Sequence, residues 1–212
     1  MSTPYSPIKI ISDNGKTGCS INFPIKDHCR PTKLCFNSCY ARSGSMAWSN
    51  TKKKQLYVSN YFADPNNDML QIIVESRVYT AVRLNGSGDM IPSHLKNILK
   101  LARTCPNTQF YGMTRKPEIA SKLNNKLPNL KLLLTIDAET PKEIWKDYKG
   151  KLCFGPRRAK DKVPNDKRIL IVFPYHCHGK VVKGVSTHKK DCLAVYHKIS
   201  GCMECGRCWN WK

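Results

Sequence analysis

At 212 residues, with 41% hydrophobic side chains, the chain is long enough to bury a real core. Its longest purely aliphatic or aromatic run, residues 169–173, is far too short to span a bilayer, and its start carries no apolar leader. A cytoplasmic protein with no membrane partner is therefore expected. The formal charge of +21, from 36 Lys and Arg against 15 Asp and Glu, attracts polyanions, and nucleic acid is the obvious one. A generally basic, solvated surface is the plainer alternative.

Residues 1–50 read as irregular, with Pro4, Pro7, Pro24 and Pro31 and no sustained periodicity. Only the stretch 35–41 has the makings of a short helix. Residues 52–76 read as helical, interrupted by the turn Asp64-Pro65-Asn66-Asn67, after which Met69, Leu70, Ile72, Ile73 and Ser76 form an amphipathic stripe. Alternation follows. Strands are expected at 79–84, 108–113, 130–136, 152–154 and 168–173, with helices at 92–103, 116–123 and 140–148.

Strand and helix in turn at this spacing argue βαβ units and a parallel sheet. The expected fold is α/β: parallel βα repeats forming a partial barrel, with cysteine-rich irregular N- and C-terminal segments. Three parts are expected within one compact domain: a cysteine loop at 1–50, a βα core at 51–180 and a C-terminal cysteine group at 181–212. Sites in such folds lie at the C-terminal strand ends. Polar clusters fall there: 85–89, Thr114-Arg115-Lys116, Asp137 and Tyr175-His176-Cys177-His178.

The chain has 11 cysteines, and in a reducing compartment closely spaced thiols mean metal or redox chemistry more often than disulfides. Cys29, Cys35 and Cys39 are spaced C-x5-C-x3-C. The last two share a face if helical, and Cys29 can loop back to join them. Three thiolates leave one metal position open. Either Cys19 or His28 closes it as a zinc site, or the site is a [4Fe–4S] cluster with one iron free for a small molecule. Cys192, Cys202, Cys205 and Cys208 are spaced C-x9-C-x2-C-x2-C, enough to close a second site completely. Zinc usually takes two separated pairs, so this spacing favours iron–sulfur, with zinc, aided by His188, as the alternative. Cys105 and Cys153 read as small buried hydrophobes, and Cys177, between His176 and His178, as packing or solvent-facing.

Followed by Tyr40-Ala41, the three N-terminal cysteines resemble the cluster-binding loop of radical-SAM-type proteins. With Lys16-Thr17-Gly18 upstream and a C-x2-C-x2-C-W ending at Trp209, the chain resembles more closely a group of largely uncharacterised bacteriophage proteins with a CYA motif. That resemblance implies a phage protein of the host cytoplasm, one or two [4Fe–4S] clusters and a radical-SAM-like barrel. It also implies that Gly86, Ser87, Gly88 and Asp89 form a strand end that contacts S-adenosylmethionine, the glycines allowing close approach and the acid pairing with its ammonium. Read from the residues alone, the same segment is a simple βα turn.

Aromatic and basic residues interleave at 48–54, at 111–116 and at Trp209-Asn210-Trp211-Lys212, a combination that single-stranded nucleic acid uses. For Trp209, packing over a metal site is preferred. The leading expectation is an iron–sulfur, radical-SAM-like protein acting on or bound to nucleic acid. The alternative is a non-enzymatic nucleic-acid-binding protein stabilised by structural [4Fe–4S] or zinc sites. A hydrolase built on Asp89, Asp137 and His176 is a third reading, without a motif. The first two differ at the fourth ligand of the N-terminal site.

Overall fold

Ser20, Ile21, Asn22 and Phe23 alternate polar with apolar, and both apolar side chains are fully buried. The segment lies along a sheet edge, where Ser20 bridges Ser12 in antiparallel and Arg83 in parallel sense. Arg83 N donates to Cys19 O at 2.9 Å, Ile21 N to Arg83 O at 2.8 Å and Gly86 N to Ile21 O at 2.8 Å. Part of the N-terminal region expected to be irregular is thus an extension of the sheet.

The computed structural model describes residues 8–13, 18–124, 126–158, 160–174, 176–177, 180–181, 190, 192, 202–208 and 210, with backbone alone at 176–177, 180–181 and 203. After the edge segment come α1 (Lys33–Asn37), α2 (Ser49–Ala63) and α3 (Leu70–Arg77). The alternating core then runs β1 (Ala81–Arg83), α4 (Leu95–Thr104), β2 (Gln109–Thr114), α5 (Pro117–Leu123), β3 (Leu130–Ile136), α6 (Lys142–Trp145), β4 (Leu152–Arg157) and β5 (Ile169–Pro174). These five strands are all parallel and stand in sequence order, curling into a half-barrel. A short antiparallel pair, β6 (His176–Cys177) with β7 (Lys180–Val181), follows, and then α7 (Cys202–Cys205).

Side chains alternate across the pleat, so the sheet has two distinct faces. Val82, Phe110, Leu130 and Leu132 pack under Val58, Phe62, Ile72, Ile98 and Leu101 of α2–α4. Leu134, Ile136, Leu152, Phe154 and Val172 continue that layer with Ala120 and Tyr148. Each such side chain, once buried, contributes about 1.5–3 kcal/mol. On the opposite face Ala81, Tyr111, Leu133, Cys153 and Ile171 are covered by Cys192 and Cys208. With the strands parallel and in order, every C-terminal strand end reaches one edge.

Boundaries differ from the expected ones for local reasons. The helix expected at 35–41 starts earlier, because the Thr32 side chain caps it by accepting from Cys35 N at 3.0 Å. The helix expected at 140–148 contracts to α6, because Thr140 is held in a turn, its hydroxyl donating to Asp137 Oδ1 (3.1 Å) and accepting from Asp137 N (2.9 Å). The helix expected at 92–103 opens with a 3-10 turn at Pro92–His94, and β4 runs on to Arg157 through register shifts against β5. Among the described residues, no helix is long and apolar enough to cross a membrane.

Candidate metal centres

The loop between the edge segment and α2 carries Cys29, Cys35 and Cys39, each partly exposed. It is fastened to the strand ends. Thr32 Oγ1 donates to Asp137 Oδ2 at 2.6 Å, Leu34 N donates to Glu139 Oε2 at 2.7 Å, and the Tyr40 hydroxyl donates to the Gly86 carbonyl. Asp137 also pairs with Arg115 at 2.9 Å, and the Arg115 guanidinium faces the Cys35 thiol. The three thiols lie within electrostatic reach of one another. Burial first, then Asp89, Cys39 and Cys35, push the Cys29 thiol up to about 12, against the pull of Lys116. Burial likewise raises Cys35, with Arg115 opposing.

Gly86, Ser87, Gly88 and Asp89 form the turn after β1, and its glycines are there for space. A Cβ on Gly88 would stand 2.2 Å from the Phe23 carbonyl oxygen, and its φ is +67°. A Cβ on Gly86 would meet the side chains of Asn22 and Ser20 at 2.5 and 2.6 Å. Ser87 is buried, its hydroxyl accepting from Gln55 Nε2 at 3.1 Å. Asp89 is buried and accepts from Met90 N (2.7 Å), Thr114 Oγ1 (3.1 Å) and Arg115 N (3.2 Å). Those bonds use three of about four acceptor positions on a carboxylate, leaving one on Oδ1. In this structure Asp89 braces two strand ends as well as facing Cys29.

Cys19 and His28 are engaged elsewhere. The Cys19 thiol donates to Asp13 Oδ1 at 3.2 Å, and burial with that carboxylate raises it to about 11. His28 Nδ1 stands 3.1 Å from Lys26 O, and its Nε2 is 2.7 Å from Ser59 Oγ, which continues to His94 Nε2 at 3.1 Å. Both imidazole nitrogens of His28 are therefore occupied.

At the other end, Cys192, Cys202, Cys205 and Cys208 line one pocket together with Ile171 and Arg207. Local structure explains the convergence. Cys192 N donates to Val172 O at 2.9 Å, laying that residue beside β5, and α7 carries Cys202 and Cys205. Gly206, at φ +60°, then turns the chain so that Cys208 comes back onto the sheet. Burial and Cys192 raise the Cys202 thiol to about 11, and burial with Cys202 and Cys192 raises Cys208 well above its usual value. Arg83 opposes both shifts.

Arg83 is the residue that sequence reasoning missed. Among the described residues its buried Nε has no hydrogen-bond partner, and its guanidinium lies within reach of Tyr40, Tyr111, Cys208 and Cys202. A fixed positive charge there offsets an anionic set of thiolates. The available signal was a lone cation inside the apolar stretch 79–84.

One comparison with known proteins decides the family. The gene product 88 profile matches residues 11–210. The chain belongs to the gene product 88 family. That assignment agrees with the phage origin expected from the CYA motif. No curated protein and no solved structure matches this gene product 88 chain.

Among the described residues of the gene product 88 protein, no three His, Cys, Asp or Glu side chains are gathered tightly enough as they stand to hold a metal ion. The donor chemistry nevertheless fits one at the C-terminal pocket, where four thiols and no carboxylate line a space enclosed by Ile171 and the sheet. At the N-terminal loop three thiols are neighbours, while Cys19 is hydrogen-bonded to Asp13 and His28 to Ser59 and Lys26. Cys105 and Cys153 are buried as expected, Cys153 within the layer that meets Cys192 and Cys208. Lys16, Thr17, Tyr175, His178, His188, Trp209, Trp211 and Lys212, and the side chains of His176 and Cys177, lie outside the described residues.

Proposed function

We propose that this gene product 88 protein is an iron–sulfur protein of radical-SAM type, with nucleic acid as its partner or substrate. The observation that carries the reading is the Tyr40–Gly86 hydrogen bond. It joins the three-cysteine loop to the glycine turn at the strand ends of a parallel half-barrel, where cluster and S-adenosylmethionine would have to be neighbours. Cys29, Cys35 and Cys39 would hold a [4Fe–4S] cluster, and such a group would supply one-electron reducing chemistry to a bound sulfonium. Gly86 and Gly88 would let the backbone approach the ligand, and the remaining acceptor position of Asp89 would take its ammonium. Arg115, tied to Asp137, fixes the position of Cys35. Cys192, Cys202, Cys205 and Cys208 would hold a second, fully ligated cluster.

A second reading, a non-catalytic nucleic-acid-binding protein with structural zinc or [4Fe–4S] sites, is favoured by the C-terminal pocket, whose four thiols also suit tetrahedral zinc. The two are separated by anaerobic purification with iron, sulfide and zinc analysis, and EPR of the reduced protein with and without S-adenosylmethionine. About eight irons per chain, with a spectrum that the cofactor perturbs, is the expected result. Stoichiometric zinc without sulfide would overturn it, and about four irons insensitive to the cofactor would leave a structural cluster alone.

A further inference from the structure

We infer that the exposed rim of the cysteine loop, residues 26–54, is the docking surface for single-stranded nucleic acid. The inference rests on the nucleic-acid part of the proposed function and adds where the strand binds and in what form. Among the described residues, the four exposed large aromatics all fall between positions 36 and 57: Phe36, Tyr40, Trp48 and Tyr57. The other exposed large hydrophobics among the described residues are aliphatic. Trp48 is 66% exposed, a large apolar ring that a solvated surface alone gives no reason to display.

Charge accompanies the rings. Lys26, Arg30, Lys33, Arg42, Lys52 and Lys53 are exposed, and Asp27 is the sole acid from 26 to 54. Only Arg30 among them is drawn aside, pairing with Glu118 at 2.8 Å. Arg42 lies flat over Phe36, 3.7 Å from the ring centroid, and donates to the Phe36 carbonyl at 3.2 Å. This is a ready-made guanidinium–ring stack that a base can extend. The occupant is a single strand because stacking on these exposed rings needs unpaired base faces. A strand laid here passes Cys35 and Cys39, and so passes the strand-end site.

The test is fluorescence anisotropy of the full chain with a labelled oligodeoxythymidylate and with a duplex of equal length. Phe36→Ala and Trp48→Ala are each expected to weaken single-strand binding by about fivefold or more. Removing two exposed charges elsewhere, with Lys122→Gln and Lys142→Gln together, should change it far less. Bound oligonucleotide should also quench tryptophan emission in the wild type and less so in Trp48→Phe. Unchanged melting temperatures of these surface variants confirm that folding is not what moves. Wild-type binding that ignores both aromatic substitutions, or a duplex held as tightly as the single strand, overturns the docking surface while the nucleic-acid reading stands. No binding of either form overturns both.

Discussion

Thr32 donates a 2.6 Å hydrogen bond to Asp137, across 105 positions of sequence, and accepts from Cys35 N with the same oxygen. One hydroxyl thus caps the helix that carries Cys35 and fastens it to the end of β3. Asp137 is fully buried at its side chain, and its other main partner, Arg115, is 11% exposed. Removing the carboxylate with Asp137→Ala strands the Arg115 charge and should cost about 3–5 kcal/mol of folding stability. Thr32→Val removes a cap and one hydrogen bond and should cost about 1–2 kcal/mol. Urea unfolding of the two variants measures the difference; equal costs would show that Asp137 does not carry the network.

Gly44 and Gly88 both adopt left-handed backbone, at φ +59° and +67°. An added Cβ meets nothing within 4 Å at Gly44 but collides with the carbonyls of Phe23 and Pro24 at Gly88. Gly44→Ala should therefore show the conformational penalty alone, about 1–2 kcal/mol. Gly88→Ala should cost clearly more, because the edge segment must move. Thermal melts of both variants decide it.

His94 gives the fold a dependence on pH. Burial first, then the electrostatic influence of His28 and Lys116, lowers its pKa to about 3. The unfolded chain takes up this proton near pH 6.5, the folded one only near pH 3, so the stability it contributes is full above 6.5 and is lost as pH falls through that window. From this group alone the loss approaches about 1.4 kcal/mol per pH unit. His94→Gln should flatten the dependence of the urea midpoint between pH 6 and 4; an unchanged slope would exclude His94 as its source.

Thiol substitutions separate the two centres. Cys208→Ser and Cys192→Ser should each lower bound iron by about four atoms per chain and leave the response to S-adenosylmethionine intact. Cys29→Ser should likewise lower bound iron by about four atoms per chain, but abolish the response to S-adenosylmethionine. Cys105→Ser, buried against the helices of the outer layer, should leave iron content unchanged. Iron analysis after anaerobic reconstitution reads all four.

The parallel core was legible because its strands are short, mostly apolar runs such as 130–136, where only Lys131 and Thr135 interrupt the buried Leu and Ile side chains. The edge segment was not: Ser20-Ile21-Asn22-Phe23 offers only four residues of alternation, hemmed in by Gly18 and Pro24. The grouping of the C-terminal thiols followed from spacing, since Cys202, Cys205 and Cys208 are locally close whatever the fold. Contacts between distant segments carry no such signal. Nothing in the sequence announces that Tyr40 reaches Gly86, that Arg115 stands between Asp137 and Cys35, or that Arg83 faces the C-terminal cysteines. Nor does spacing announce that Cys19 meets Asp13, or that His28 meets Ser59 and Lys26 O.

The inner face of the sheet is covered by residues that the ribosome makes after all five strands. At typical elongation rates the stretch from 174 to 208 takes roughly 2–7 s to synthesise. Through that interval Ala81, Tyr111, Leu133 and Ile171 have no lid, while Cys29, Cys35 and Cys39 and the strand ends that hold them already exist. The nascent protein therefore completes its N-terminal cysteine loop before its C-terminal cysteines exist, and the apolar face that they cover is open for the same few seconds.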